Sequence, residues 1–228
     1  MCAKTITLNG HQFIAYQPQV YAKEKMVKQA REFYHQMDKR RSVREFSSRP
    51  IPRELIRLIL RTASTAPSGA HKQPWTFCVI RNKTIKAQIR LAAEKEERQN
   101  YAGRMPEEWL NDLRPLQTNW EKSFLTTAPC LIVAFKKTYD LQPDGTKKSN
   151  YYVAESIGLA CGFLLAAIHQ AGLVALTHTP SPMNFLTQIL KRPANEKPFL
   201  LIPVGYPAPN TLVPRLRRKK LDEFVIDY

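Results

Sequence analysis

Arg40-Arg41-Ser42-Val43-Arg44 and, further on, Thr65-Ala66-Pro67-Ser68-Gly69-Ala70-His71 decide how this chain is read. An arginine guanidinium is a planar fork of donors that stays charged at any working pH, so a cluster of them beside a serine suits a phosphate. In the second stretch Pro-Ser-Gly makes a turn whose glycine lets backbone approach a flat ligand. Between the two, Leu55, Ile56, Ile59, Leu60 and Ala63 recur at helical spacing, so a few turns of amphipathic helix separate the ends and one bound molecule can touch both. Pro52 suits the first turn of that helix, and Glu54 stands near its N-terminus, where negative charge is favourable. Alone, the arginine run also reads as a solvated basic surface; the turn that follows tips the reading toward a ligand.

Outward from this stretch, a stripe of Met26, Ala30, Phe33, Tyr34 and Met37 predicts a helix from Tyr21 to about Asp38, preceded by an extended lead-in over residues 1–20. Trp75–Ile80 and Cys130–Phe135 are short apolar runs rich in β-formers and read as buried strands. A charged helix is expected over Lys83–Glu97, helical turns over 98–123, and a turn at Pro143-Asp144-Gly145. Ala154–Ala171 is apolar on nearly every side, ends at Gly172, and carries Gly158 and Gly162 at a spacing that admits another helix closely. A third strand is expected over Leu173–Thr179, a short helix over Phe185–Leu190, and a fourth strand over Phe199–Tyr206, at an edge or a bulge because Pro203 lies inside it. The tail Leu221–Tyr228 alternates like one more strand. The total is an α+β fold, a mostly antiparallel sheet of four or five strands with helices packed around it.

A chain of 228 residues fits one domain with a sizeable core, and 43% apolar residues exclude a disordered chain. The net charge of +16 admits nucleic acid, an acidic membrane surface or small anions as partners. No zinc-finger spacing and no aromatic RNA-binding strand accompanies it, so nucleic acid is not expected. Cys2, Cys78, Cys130 and Cys161 have no metal-ligand spacing and read as buried free thiols in a reducing compartment, with no metal site. The N-terminus lacks an apolar signal core, and the apolar segment 154–171 includes Glu155, His169 and Gln170. A core helix rather than a membrane span, and a soluble cytoplasmic protein, are the expectation.

No glycine-rich dinucleotide fingerprint and no P-loop is present. A flat phosphorylated cofactor gripped by arginines from two places, 40–44 and 215–220, is the alternative, and flavin mononucleotide (FMN) fits it. In Thr177-His178-Thr179 the alternation of a strand would turn both threonines to one ligand, where a hydroxyl can donate to a flavin ring nitrogen, while His178 points away or contributes backbone only. Threonine is equally a plain strand residue. His71 is a candidate acid or an incidental histidine. Glu97 and Tyr101 are neighbours on one helical face and, with Lys122, are the notable polar residues of the middle segment; a solvated face reads the same way.

These residues together resemble the nitroreductase flavoproteins, and among them the iodotyrosine deiodinase branch. The resemblance rests on Arg40–Arg44, on Thr65–His71, on Thr118-Asn119-Trp120-Glu121-Lys122 with Thr127-Ala128-Pro129, on Ala160-Cys161-Gly162, on Thr177-His178-Thr179-Pro180 and on Pro203-Val204-Gly205-Tyr206-Pro207. It covers about residues 21–225, and the set Glu97, Tyr101 and Lys122 narrows it to the branch. It implies an FMN-bound, intertwined homodimer with sites at the subunit interface, a single domain over 21–228, and a lid over about 94–123. By position, Arg40, Arg41, Ser42, Val43, Arg44 and Arg218 would hold the phosphate end of FMN. Pro67, Ser68 and Gly69 would line the ring, with Thr177, His178 and Thr179. The Thr177 hydroxyl would be the catalytic group, favouring single-electron steps. Ala70, Glu97, Tyr101 and Lys122 would bind a halotyrosine. The implied activity is reductive dehalogenation of mono- and diiodotyrosine to tyrosine and iodide, with electrons derived from NADPH through a reductase or another donor. A general NAD(P)H-dependent nitroreductase is the alternative. Animal members of the branch carry an N-terminal membrane anchor, which is not expected in this sequence, and the family does not account for the +16 charge.

Overall fold

A computed structural model of the chain describes residues 5–228, which leaves Cys2 outside the described residues. The chain divides into two compact units, one ending at Lys39 and one running from Arg40 to Tyr228.

In the first unit, β1 (Thr5–Leu8) and β2 (His11–Ile14) pair antiparallel from Thr5 opposite Ile14 to Leu8 opposite His11. The lead-in is therefore a hairpin, not one extended segment. Asn9 (φ 49°) and Gly10 (φ 79°) form its two-residue turn, the dipeptide that the twist of a tight hairpin favours. Helix α1 (Lys23–Asp38) follows, with no buried residue; Met26, Phe33 and Tyr34 of its apolar stripe are all exposed.

The second unit is built on a four-stranded antiparallel sheet. Helix α2 (Arg53–Ser64) buries Ile56, Ile59 and Ala63. Then come β3 (Trp75–Ile80), α3 (Lys83–Gln99), α4 (Glu107–Leu113), α5 (Phe124–Thr127) and β4 (Cys130–Lys137). A small hairpin, β5 (Tyr139–Leu141) and β6 (Lys147–Ser149), surrounds the Pro143-Asp144-Gly145 turn. Helix α6 (Val153–Gln170), β7 (Val174–Ala175), α7 (Asn184–Ile189) and β8 (Glu196–Gly205) complete the unit. The strand order is β3-β4-β8-β7.

Strand β4 explains the layering. Leu131, Val133 and Phe135 face one side with Ile89, Leu125 and Leu186, so α3, α5 and α7 cover it. Cys130 and Ile132 face the other side, with Ile56, Ile59, Leu164 and Ile168 of α2 and α6. A strand covered on both faces is apolar at successive positions, which is why its sequence shows a run rather than alternation. Helix α6 is long and apolar enough to cross a membrane by length and composition, but its Ile157, Ala160, Cys161, Leu164 and Ile168 are buried in this core. It ends as its glycine indicates: Gly172 has φ 74° and donates to His169 O (3.0 Å), and Leu173 donates to Ile168 O (3.1 Å).

Three sequence expectations are corrected. Strand β8, with Pro203 inside it, is central rather than at an edge, and its bulge against β4 falls between Pro198 and Leu200 rather than at Pro203. The Pro203 carbonyl accepts from Leu176 N–H (3.3 Å) on the side of the short strand β7. Its missing N–H points the same way, so the pairing with β4, where Pro203 lies opposite Leu131, loses no bond. The third strand is two residues long and continues only as a bridge between His178 and Leu201. The tail forms a single 3-10 turn, Leu221–Glu223, instead of a strand.

Candidate cofactor and substrate site

The arginine motif is positioned by the sheet. Val43 N–H donates to Ala175 O (3.1 Å), Ser42 bridges to Ala175, and Phe46 bridges to Pro207. Residues 40–46 thus lie along the end of β7, two residues before Thr177. Leu176 and His178 donate their amides to β8 (3.3 and 2.9 Å). The amides of Thr177 and Thr179 therefore face away from β8, and both threonines are exposed.

The second basic cluster folds back onto the first. The Arg41 guanidinium donates to Pro214 O, and Arg218 Nη2 donates to Arg40 O (3.1 Å). The result is a cavity of about 380 Å³ lined by Arg40, Arg41, Ser42, Arg44, Arg217 and Arg218, with Leu116, Pro214 and Leu216 on its apolar side. Among the described residues no carboxylate lines it. Burial, then repulsion from Arg218 and Arg41, lowers the pKa of Arg40. Cations that crowd one another in this way are stabilised by a dianion, so the donor set fits a phosphate monoester.

A second group lies beside the first. Lys122 Nζ is 3.1 Å from Glu97 Oε2, and its ammonium stands 5.5 Å from the centre of the Tyr101 ring. Burial lowers the Lys122 pKa while Glu97 opposes the shift. Burial raises that of the Tyr101 phenol, against a hydrogen bond to Thr118. Arg44 is close enough to perturb Tyr101, Lys122 and His178, which ties the two groups into one field. Glu97 lies in the last turn of α3 and Tyr101 in the π-helical turn Asn100–Arg104 that follows, which is tied down by Asn100 Nδ2 donating to Ser181 O (3.1 Å).

His178 points inward, as strand alternation requires. Its ring packs edge-on against Phe124 (5.5 Å between centres), and Nε2 is buried with no partner among the described residues. Burial first, then Lys122 and Arg44, push its pKa down to about 3, so it is neutral.

The Pro67-Ser68-Gly69-Ala70 turn is held elsewhere. Gly69 N–H faces Ser156 Oγ (3.4 Å) at the start of α6, and a Cβ at Gly69 would stand 2.9 Å from the Tyr152 ring. Ala70 (φ 45°), His71 (φ 56°) and Gln73 (φ 49°) all take left-handed conformations that non-glycine residues seldom adopt, and such strain gathers at functional turns. Ser68 fixes the turn by accepting from Gln73 N–H (2.9 Å) and His71 N–H (3.0 Å), bonds in which the Ala70 N–H takes no part. None of the turn's hydrogen bonds or ring contacts among the described residues reaches the arginine cavity. The structure thus joins Arg40, Arg41, Ser42, Arg44 and Arg218 with Glu97, Tyr101 and Lys122 through Arg44, and none of these residues takes part in the hydrogen bonds that hold Pro67–Ala70.

Sequence reasoning missed Glu94, Arg90 and Lys86. Their spacing of four was visible, but a charged helical face reads as solvated until its neighbours are known.

A model of the nitroreductase family matches residues 37–206. The chain is 62% identical over 216 residues to an iodotyrosine deiodinase of Haliscomenobacter hydrossis, across 95% of this chain and 97% of that protein. It is 47% identical over 207 residues to iodotyrosine deiodinase 1 of Homo sapiens, across 90% of this chain and 72% of that protein. Among solved structures, oxidized iodotyrosine deiodinase bound to FMN and 3-iodo-L-tyrosine is similar with a TM-score of 0.73 and 30% identity, across 86% of this chain and 98% of that one.

Proposed function

The chain belongs to the nitroreductase family and, within it, to the iodotyrosine deiodinases, and from that premise we propose that it is an FMN-dependent enzyme that removes halide from halotyrosines. The observation that carries the reading is the pair Glu97–Lys122, an acid and an amine buried side by side next to a cavity walled by arginines. A free amino acid is a zwitterion, and this pair offers one partner to each of its ends. General nitroreduction of neutral aromatics needs no such pair.

Arg40, Arg41, Ser42, Arg44 and Arg218 hold the phosphate of FMN, with the Val43 backbone fixing the motif on β7. The lining of arginines without an acid supports this assignment. When bound, FMN supplies two electrons one at a time. Thr177 would present its hydroxyl to the flavin ring, with Thr179 and the backbone of His178 beside it. Glu97 takes the substrate ammonium, Lys122 the carboxylate, and Tyr101 closes over both as part of a lid over about 94–123. The Ala70 N–H holds the phenolate oxygen, which selects halotyrosine over tyrosine because an ortho halogen makes the phenol more acidic. In the net reaction the C–I bond breaks and a C–H bond forms. Two electrons and one proton are consumed, and iodide and tyrosine are released. Closing the lid excludes water from the reacting ring.

The enzyme works as a homodimer in which Pro67, Ser68, Gly69 and Ala70 complete the site of the partner. An open face of α6 supports this: a Cβ at Gly158 or Gly162 would meet nothing within 4 Å, and Leu159 and Phe163 beside them are exposed. Electrons come from NADPH through a reductase. The test is the absorbance of FMN-loaded protein on addition of 3-iodotyrosine. A saturable change with iodotyrosine, and none with tyrosine at the same concentration, supports the reading; no response to either opposes it.

A further inference from the structure

We propose that Glu94 is a positioning residue for Lys122, and through it sets the preference for substrates that carry a free amino-acid group; this rests on the roles given to Glu97 and Lys122 above. Lys86, Arg90, Glu94 and Glu97 recur at intervals of four, four and three, so they stand on one face of α3. That face is not solvated: Lys86, Glu94 and Glu97 are buried. All of it grips the segment that begins at Lys122. Lys86 Nζ donates to Thr126 O (2.9 Å) and Ala128 O (2.6 Å), and Arg90 Nη1 donates to Thr126 Oγ1 (3.1 Å). Lys86 and Arg90 therefore anchor α5 and its end.

Glu94 does something different. Its Oε1 accepts the backbone N–H of Lys122 itself (2.8 Å) while Arg90 Nε (2.7 Å) fixes the same oxygen. A lysine side chain has four rotatable bonds, and its ammonium is only as well placed as the backbone that carries it. With the backbone held by Glu94, and the ammonium by Glu97 and the Asn119 carbonyl, each end of Lys122 has a partner on one rigid helix. Loss of Glu94 leaves a buried N–H without an acceptor, and the segment must shift to satisfy it. Such a shift moves the group that meets the substrate carboxylate, while the arginine cavity is untouched.

The test uses FMN-loaded protein and two ligands: 3-iodotyrosine, and 2-iodophenol, which has the halogenated ring but neither amine nor carboxylate. Glu94→Ala should keep FMN and bind 2-iodophenol as the wild type does. Its affinity for 3-iodotyrosine should fall about tenfold, the cost of an orphaned buried donor, and the loss should appear in KM rather than kcat for iodide release. Glu94→Gln retains an acceptor oxygen and should show a smaller loss of the same kind, which keeps the test open if the alanine variant does not fold. Affinity for 3-iodotyrosine within twofold of wild type in both variants overturns the proposal, as does a parallel loss for both ligands. Failure of the wild type to bind 3-iodotyrosine overturns the underlying reading instead, a result distinct from either.

Discussion

Lys122 Nζ lies 3.1 Å from Glu97 Oε2, with the two side chains only 4% and 12% exposed. A buried ion pair is stable only while both partners are present; removing one strands the other charge. A zwitterion entering between them leaves all four charges paired. Glu97→Gln and Lys122→Met should therefore each weaken 3-iodotyrosine binding by roughly ten- to a hundredfold, the range of a charge-assisted hydrogen bond. FMN content should not change. Ligand titration by flavin fluorescence checks both, and the double variant should be more stable than either single one.

The arginine cavity predicts a dependence on the phosphate itself. Arg218→Ala should lower FMN affinity about tenfold or more, yet leave the affinity for riboflavin, which lacks the phosphate, nearly unchanged. Arg44→Ala should also weaken iodotyrosine binding, because Arg44 shares the field of Tyr101 and Lys122. Equal losses for FMN and riboflavin in Arg218→Ala would contradict the assignment.

His178 makes stability depend on pH. Its pKa is pushed down to about 3 in the folded chain, whereas an unfolded histidine titrates near 6.5. Between these values the unfolded chain binds the additional proton, so stability falls as pH drops below about 6.5, by at most ~1.4 kcal/mol per pH unit from this group. Melting temperature recorded from pH 7.5 to 5 should decline more steeply for the wild type than for His178→Phe, which keeps a ring against Phe124 and cannot titrate.

Gly205, at the end of β8, lets two elements meet. A Cβ there would stand 2.8 Å from the half-buried Pro129 Cδ and 3.0 Å from the buried Phe46 Cδ1. The proline ring cannot swing aside, and Phe46 leads directly back to Arg44. Gly205→Ala should destabilise the fold by about 1–3 kcal/mol and weaken FMN binding as well, read by thermal melting with and without FMN.

Much of this was legible in the sequence where one residue type has one use. Continuous apolar runs marked β3 and β4, Gly172 marked the end of α6, and the arginine and threonine motifs were separately visible. Their meeting was not, because it depends on backbone pairings of residues 42–47 with Ala175 and residues 206–207, far away in the chain. Asn9-Gly10 is a hairpin signal inside a segment that otherwise reads as extended. Pro203 misled because its missing donor harms a central strand only on a side that has a full-length neighbour. Glu94 was invisible for the opposite reason: its spacing fits a solvated helix face, and only the fold of residues 122–128 onto α3 buries it.

On the proposed reading, this chain joins a phosphate-anchored flavin to a site for a halogenated amino acid. Iodide release from 3-iodotyrosine, followed anaerobically with FMN-loaded protein and dithionite, tests it most directly. One iodide and one tyrosine should appear per iodotyrosine consumed, with release suppressed in Glu97→Gln. Protein that holds FMN and is reduced by dithionite, but liberates no iodide, would contradict it.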